Sequence, residues 1–351
     1  MKTEGIKGQG AVVNIHNHFE KNRYEKSIYD DDDFEEEITK TQVQFVFPKT
    51  IVNPVKSPDL YMAYSMNPYQ GCEHGCAYCY ARPTHEYWGY SAGVDFERII
   101  LAKKNAPELL EKFFQKRGYK PEPIMLSGNT DCYQPIERKL EITRKMLQVC
   151  LDYRHPVSIL TKNALITRDM DILVQMAEKN LVTAALSIPT TNEDLRRKLE
   201  PRTSSVKTKL QALETLSQNG IPTFVMVAPI IPGLNSMEIL PTVEAIAQKG
   251  ALGCAYTLVR LNDTVEPVFI DWLTEHYPDR KEKVLHQIAS MHGGKLGEKS
   301  VAKRKVGEGN IADMIHTTFR IAKQKYFVGK ELPPLDVTLF DGTKGEQLRL
   351  F

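Results

Sequence analysis

The chain has 351 residues, of which 42% are hydrophobic and 26% charged, and its formal net charge is +2. This composition is typical of a globular protein, and so small a net charge neither requires nor excludes a polyanionic partner. The first residues lack the apolar stretch of a secretory signal, and no segment approaches the roughly 18 apolar residues that cross a bilayer. Six cysteines are too few for a disulfide scaffold. These features predict a cytoplasmic protein without a membrane segment.

Residues 1–58 are predicted to form an irregular, flexible N-terminal arm. Every position from Asp30 to Glu37 is acidic except Phe34. Mutual repulsion within such a run favours a solvated, poorly ordered stretch. An alternative is an acidic strip that covers a basic groove and competes there with nucleic acid.

Residues 59–262 show short β-rich runs that alternate with longer segments of helical periodicity. This alternation predicts βαβ units and a parallel sheet of six strands, the first near Tyr61–Met66. Periodicity alone leaves open a doubly wound sheet or a partial (β/α)6 barrel. The later strands are predicted at Ile124–Ser127, Val157–Thr161, Val182–Ile188, Thr223–Ala228 and Leu252–Leu258. The helices are predicted at Glu137–Tyr153, Arg168–Lys179, Val206–Asn219 and Ser236–Lys249.

The alternation stops near residue 262. Residues 263–330 are predicted to form a helical extension that contains a basic stretch. Residues 331–351 begin with Glu-Leu-Pro-Pro and are predicted to form a tail that projects outward, because proline disfavours a continuing helix.

Three cysteines, Cys72, Cys76 and Cys79, stand at CxxxCxxC spacing. One alternative is a structural zinc site, but such a site normally has four ligands, often as two separated pairs. His74 or His85 would complete that set only at an unfamiliar spacing. Iron–sulfur clusters are also held by clustered cysteines, and three ligands on a cubane leave one iron open.

The CxxxCxxC motif after the first strand of a β/α series resembles the radical S-adenosylmethionine superfamily. The resemblance implies an α/β fold with a partial (β/α)6 TIM-type barrel and a [4Fe–4S] cluster on the three cysteines. It also implies that S-adenosylmethionine chelates the open iron and is cleaved reductively to a 5′-deoxyadenosyl radical. An electron donor such as flavodoxin or ferredoxin would supply the reducing electron.

Loops at the carboxyl ends of strands carry the chemistry of barrel enzymes. After the fourth predicted strand, Ser187 resembles a ribose contact of the superfamily. Glu200 and Arg202 resemble the pair that faces the ribose and the methionine carboxylate. The segment after the second strand resembles the one that meets the methionine amine, namely Ser127, Gly128, Asn129, Thr130 and Asp131. After the fifth strand, the residues suited to lie against adenine are Pro229 and Ile230. The alternative for each is an ordinary loop or helix cap.

Tyr78 and Tyr80 flank the last cysteine of the motif. They match two tyrosines of the spore photoproduct lyase branch, which take part in returning a hydrogen atom; the alternative role is packing. Gly128 stands where the lyase has the cysteine that quenches the product radical. The nearest thiol is Cys132, so the sequence predicts either a shifted hydrogen donor or a different substrate.

Residues 293–310 combine lysine, arginine and glycine. A basic, glycine-rich loop can approach a phosphate backbone, which predicts a DNA contact; the alternative is a solvated surface loop. A second motif contains Gln347, Leu348, Leu350 and Phe351. It resembles the pentapeptide that docks bacterial repair proteins and polymerases on the sliding clamp, although such residues can also pack on their own domain.

Three hypotheses for function follow. The first is a radical enzyme that acts on a nucleic-acid base or a DNA lesion. The second is a radical enzyme that modifies a protein, a peptide or a small metabolite. The third is a non-catalytic iron–sulfur protein that binds DNA.

Overall fold

The computed structural model describes residues 9–11, 13–15, 17, 19, 41–59 and 62–343. The acidic run at residues 30–37 and the clamp-like motif at residues 347–351 therefore lie outside the described residues. No helix in the described ranges combines the length and apolar character needed to span a bilayer.

The described residues contain ten strands in two sheets. The strands are β1 (Gln42–Val46), β2 (Val52–Pro54), β3 (Tyr64–Met66), β4 (Tyr69–Gln70), β5 (Ile99–Lys103), β6 (Ile124–Leu126), β7 (Val157–Thr161), β8 (Val182–Ser187), β9 (Thr223–Met226) and β10 (Gly253–Ala255). The larger sheet has the order β10-β9-β8-β7-β6-β3-β2. Its six strands from β10 to β3 pair in parallel, and β2 joins β3 antiparallel. The six parallel strands predicted from the alternation are thus confirmed.

Helices follow the parallel strands, as βαβ units require. They are α1 (Val94–Arg98), α2 (Ala106–Phe114), α3 (Glu137–Leu140), α4 (Ile142–Asp152), α5 (Met170–Ala177), α6 (Glu193–Leu199), α7 (Val206–Gln218), α8 (Ile239–Gln248), α9 (Val265–His276), α10 (Lys281–Met291) and α11 (Asn310–Tyr326). Short 3-10 helices occupy Arg82–Trp88, Ala164–Asp169, Ser236–Glu238 and Pro278–Arg280.

Local chemistry explains where several of these helices begin and end. The Ser205 hydroxyl caps α7 by accepting a hydrogen bond from the Thr208 N–H at 3.2 Å, which satisfies one of the free amide groups of the first turn. The helix predicted over Glu137–Tyr153 is instead two helices. Glu141 between them has φ 54°, in the left-handed region, so the helical path is interrupted there.

The smaller sheet has the order β1-β5-β4 and was not predicted. β1 and β2 lie within residues 1–58, so the prediction of an irregular arm is wrong for residues 42–46 and 52–54. β1 pairs in parallel with β5 over five residues and leaves Phe45 half exposed. Its partner is more than fifty residues away in the sequence, which is why local patterning did not indicate a strand.

The C-terminal part of the described chain is helical, as predicted, through α9, α10 and α11. Residues 331–343, however, lie against the part of the chain that forms the parallel sheet instead of projecting outward. The Asp336 N–H donates to the carbonyl of Asn180 at 2.9 Å, and the Asp341 N–H donates to the carbonyl of Tyr153 at 3.0 Å. The Phe340 ring lies 5.7 Å from that of Phe114. The prolines end the helical pattern, but these contacts hold the segment against α2 and α4.

His155 is buried in this aromatic contact and is expected to make the fold sensitive to acid. Its ring stacks on Phe114 at 4.2 Å, and its Nε2 lies 2.8 Å from the Tyr119 hydroxyl. Burial lowers the pKa of His155 to about 3. The unfolded chain therefore binds a proton that the folded chain excludes, and stability falls as the pH drops from about 6.5 toward 3.

We expect this residue to contribute up to about 1.4 kcal/mol per pH unit to the slope of unfolding free energy against pH in that window. Urea denaturation at several pH values measures the slope. His155→Phe keeps a stacking ring and should flatten the slope, whereas the control His286→Gln, at an exposed position, should not. An unchanged slope in His155→Phe would refute the assignment.

Candidate active site

The three cysteines of the motif lie in the loop after β3 and β4, at the carboxyl end of the first parallel strand. Cys72 and Cys76 are buried, and Cys79 is partly exposed. The Cys72 N–H donates to the carbonyl of Phe96 at 2.8 Å, which ties the loop to the end of α1. Burial raises the pKa of Cys79, and the neighbouring Cys72 sulfur raises it further, so these sulfur atoms share one environment.

The donor set of this loop fits a cubane cluster with three protein ligands. The other three cysteines of the chain belong to the main hydrophobic core, namely Cys132, Cys150 and Cys254. No group of three or more His, Cys, Asp or Glu side chains in the described part of the chain is arranged to hold a single metal ion. A [4Fe–4S] cluster makes a different demand, because each cysteine binds a separate iron atom.

The segment 127–131 follows β6 and is tied to the residues that lead into the cysteine loop. The Thr130 hydroxyl donates to the carbonyl of Tyr69 at 2.6 Å, and the Asn129 N–H donates to the Asn67 side chain at 3.0 Å. Ser127 has φ 80° and accepts a hydrogen bond from the Cys132 N–H at 2.5 Å. The structure therefore brings this predicted segment and the cysteine loop together at one edge of the sheet.

Asp131 links three strand ends through its carboxylate. It accepts hydrogen bonds from the Thr161 hydroxyl and the Lys162 N–H, both at 2.7 Å, and its Oδ2 lies 3.3 Å from His74 Nδ1. Burial raises the pKa of such a carboxyl, but His74 and the hydrogen bond from Thr161 bring the pKa of Asp131 down to about 2. Asp131 is therefore ionised and holds His74, inside the cysteine motif, against the end of β7.

Lys162, which the sequence analysis did not single out, is a further cation of this site. Burial lowers its pKa, but Cys76, Glu200 and Asp131 raise it above the ordinary value, so the ammonium stays charged among negative groups. Lys162 directly follows β7. Its position directly after a strand end is the signal in the sequence that indicates it.

Glu200 is fully buried and its carboxylate is held on both sides. Oε2 accepts a hydrogen bond from Lys209 Nζ at 2.8 Å, and Oε1 accepts one from the Tyr78 hydroxyl. Burial raises the pKa of a carboxyl, yet Lys209 and Lys162 keep the pKa of Glu200 below its ordinary value. The carboxylate therefore connects the tyrosine of the cysteine motif to α7.

The other predicted cofactor contacts lie along the same edge. The Arg202 N–H donates to the carbonyl of His74 at 3.3 Å, which places Arg202 beside the cysteine loop. Ser187 is buried at the end of β8, and its hydroxyl lies 3.4 Å from the carbonyl of Ala228. Pro229 and Ile230 follow β9 and are buried. Their proposed roles toward a cofactor stay predictions.

Tyr80 lies at the exposed mouth of this site. Its side chain is 55% exposed, and its hydroxyl donates to the carbonyl of Gly128 at 2.8 Å. The Arg260 guanidinium lies over the ring, 5.7 Å from its centre. Cys132, the other candidate hydrogen donor, is fully buried in the core. A reactant at the mouth therefore meets the Tyr80 phenol before it could reach the Cys132 thiol.

The predicted basic loop carries less free charge than its sequence indicates. The Lys295 side chain is exposed. Arg260 Nη1 donates to the carbonyl of Arg304 at 3.2 Å, which joins the loop to the mouth. Four of the five cationic side chains of the loop form ion pairs with acids of the chain itself. The pairs are Lys299–Asp263, Lys303–Glu308, Arg304–Asp59 and Lys305–Asp59.

A model of the radical SAM superfamily matches residues 66–246, about half of the chain. This range contains the cysteine motif and the parallel strands from β6 to β9. The chain belongs to the radical SAM superfamily and is a radical SAM enzyme. The family implies a [4Fe–4S] cluster and S-adenosylmethionine as cofactors.

Two relatives extend over much of the chain. An uncharacterised protein of Mycobacterium tuberculosis is 31% identical over 237 residues, which cover 67% of this chain and 70% of the relative. An uncharacterised protein of Methanocaldococcus jannaschii is 30% identical over 251 residues, covering 72% of this chain and 90% of the relative.

Among solved structures, the fold is similar to that of spore photoproduct lyase. A mutant of that enzyme matches with a TM-score of 0.62 and 16% identity, covering 87% of this chain and 86% of that chain. The lyase complexed with dinucleoside spore photoproduct matches with a TM-score of 0.60 and 16% identity, covering 82% and 80%. At this identity the similarity shows a common α/β fold.

Proposed function

We propose that this radical SAM enzyme acts on a nucleic-acid base or a DNA lesion. The observation that carries the proposal is the mouth of the site, where the Tyr80 phenol reaches the Gly128 carbonyl beneath the Arg260 guanidinium. A planar base can stack against such a surface, and a cation above an aromatic ring favours electron-rich or anionic partners. The similarity in fold to a lyase solved with a dinucleoside lesion supports this substrate class.

In this proposal Cys72, Cys76 and Cys79 hold the cluster, and Lys162 is the cation available for the carboxylate of S-adenosylmethionine. When both cofactors are bound and an electron donor such as flavodoxin or ferredoxin reduces the cluster, they would supply a 5′-deoxyadenosyl radical for hydrogen abstraction. Asp131 and His74 keep the segment 127–131 against the cysteine loop. Tyr80 presents its hydroxyl hydrogen at the mouth, where it can return a hydrogen atom to a substrate.

The direct test is anaerobic reconstitution followed by reduction with S-adenosylmethionine, with and without ultraviolet-irradiated DNA. We expect DNA to stimulate 5′-deoxyadenosine formation and to be altered itself. Stimulation by peptides or small metabolites, with no response to DNA, would favour the modification of those molecules instead. No 5′-deoxyadenosine under any condition would favour a non-catalytic iron–sulfur protein.

Tyr80→Phe is expected to preserve cleavage of S-adenosylmethionine and to lower the ratio of product to 5′-deoxyadenosine. Phe keeps the ring beneath Arg260 but removes the transferable hydrogen. We expect a loss of about tenfold in that ratio, equivalent to about 1.4 kcal/mol of barrier. Chromatography of both products measures it.

Tyr87→Phe is the matched control, because Tyr87 is 74% exposed on the next helix. Tyr78→Phe and Cys132→Ala extend the test to the other two candidate relay residues. If the product ratio is normal in the Tyr80, Tyr78 and Cys132 variants, these three residues have packing roles only.

A clamp interaction through Gln347, Leu348, Leu350 and Phe351 would recruit the enzyme to DNA. A short peptide loses conformational entropy when it becomes ordered on binding, so the expected affinity is modest, with a dissociation constant on the order of micromolar. A synthetic peptide of residues 342–351 should bind the sliding clamp of the same organism in a calorimetric titration. The same peptide with Phe351→Ala should not bind, and failure of the unaltered peptide would remove this partner.

A further inference from the structure

Arg82 is fully buried just after the cysteine loop, and every hydrogen-bond donor of its guanidinium is used. A guanidinium has five N–H groups. The carbonyl of Cys76 accepts two of these bonds, from Nε at 3.1 Å and from Nη2 at 2.9 Å. Nη1 donates to the carbonyls of Ala92 at 3.1 Å and Gly93 at 3.0 Å. Nη2 also donates to the Glu97 carboxylate. Arg82 therefore holds the backbone of Cys76, a proposed cluster ligand, through its carbonyl oxygen.

Glu97 balances the Arg82 charge and connects it to a distant part of the chain. Both side chains of this ion pair are fully buried. An unpaired buried charge is strongly destabilising, so each residue needs the other. The second carboxylate oxygen of Glu97, Oε2, accepts a hydrogen bond from the Gly10 N–H at 3.0 Å. The contact joins residues 87 positions apart in sequence.

The described residues of segment 9–19, here called the N-terminal strap, lie on the outer side of the cysteine loop. A Cβ atom on Gly10 would lie 1.6 Å from the carbonyl oxygen of Gly75, the residue before Cys76. The two backbones therefore touch, and only glycine permits this approach. Ala11 and Asn17 are buried, and the Asn17 amide donates to the carbonyl of Glu86 at 3.0 Å.

We propose that the N-terminal strap, Glu97 and Arg82 form a brace that positions the Cys76 backbone and closes the outer side of the cluster loop. The inference rests on the proposed function, because it takes the three cysteines as cluster ligands. Arg82 and Glu97 are positioning residues that act through Cys76. The brace slows the loss of iron from the protein that carries the cluster. Its two opposite charges, on Arg82 and Glu97, neutralise each other next to the cysteine loop.

The first test measures the rate at which a chelator removes iron from the anaerobically reconstituted full chain. The visible absorbance of the cluster monitors this loss. Gly10→Ala should displace the strap from Gly75 and speed iron loss by about fivefold or more, the effect of 1 kcal/mol or more in a local equilibrium. Gly118→Ala is the control for backbone strain. Unlike Gly10, Gly118 has a positive φ, and a Cβ atom there would have no atom within 4 Å, so this variant reports strain without a contact in the brace.

The second test separates geometry from charge. Arg82→Lys keeps the cation but offers three donors in place of five, so iron loss should accelerate more than in Gly10→Ala. Glu97→Gln is nearly isosteric and removes one negative charge near the thiolates. It should therefore shift the midpoint potential of the cluster to a more positive value in an electron paramagnetic resonance titration.

The outcomes distinguish this inference from the proposed function. A wild-type chain that assembles no cluster would overturn both. Normal loading of the wild type, with unchanged iron loss in Gly10→Ala and Arg82→Lys, would overturn the brace alone. Because Gly10 lies outside the strands of both sheets, its variant remains informative even if Arg82→Lys fails to fold, which thermal unfolding will show.

Discussion

Cys76→Ala is expected to yield a protein that folds but cannot retain a [4Fe–4S] cluster. In the proposed assignment three cysteines hold the cluster, and the remaining thiols of the chain lie in the core, so no other cysteine can take the place of Cys76. We expect iron and sulfide to fall from about four per chain to near zero after anaerobic reconstitution. Cleavage of S-adenosylmethionine should be lost with them. Cys72→Ala and Cys79→Ala should behave in the same way.

Cys254→Ala provides the matched control for this experiment. Cys254 is buried at β10 in the main core, so its replacement should cost some stability while leaving iron content unchanged. Metal analysis by mass spectrometry and the absorbance spectrum measure the outcome. Stoichiometric zinc in place of iron in the wild-type protein would refute the assignment of the three cysteines to a cluster.

Lys162→Met is expected to weaken the binding of S-adenosylmethionine without loss of iron. Lys162 remains charged at the end of β7 among Cys76, Asp131 and Glu200, and a carboxylate of the cofactor would be a further anionic partner for the ammonium. A hydrogen bond to a charged group contributes about 1.5–3 kcal/mol, which corresponds to roughly 10–150-fold in affinity. Perturbation of the cluster spectrum by added cofactor measures the affinity.

Two comparisons sharpen this experiment. Lys249→Met is the matched control, because Lys249 forms a surface ion pair with Glu214 and should not affect the cofactor. Arg202→Ala and Glu200→Ala test the pair chosen from the sequence. Normal affinity in Lys162→Met, together with weakened binding in Arg202→Ala, would move the carboxylate contact back to Arg202.

The parallel strands were predictable because buried strands appear as continuous apolar runs in sequence. The limits of β7 match the prediction, Val157–Thr161, whereas the runs predicted for β9 and β10 extend beyond the paired residues. β4 has only two residues, too few for a periodic signal. The smaller sheet, which contains β4, therefore depended on tertiary pairing that the sequence pattern does not show.

The candidate site was predictable where residues sit in a compact motif or directly after a strand. Cys72, Cys76 and Cys79 are of the first kind, and segment 127–131 is of the second. Glu97 and Arg82 are of neither kind, because a buried glutamate and arginine have no distinctive local spacing. Their roles become visible only when the partners, including Gly10, are brought together by the fold.

The position of Phe340 bears on the order in which this chain can complete its structure. Its ring packs against Phe114, which is translated more than two hundred residues earlier, so this contact cannot form until the C-terminal segment has been synthesised. The strands of the larger sheet can pair before residues 331–343 exist, but α2 and α4 remain without this cover until the segment emerges. Shortening the chain to remove the clamp-like motif alone would preserve the cover. A cut at Glu331 would instead leave an aromatic face bare during and after synthesis.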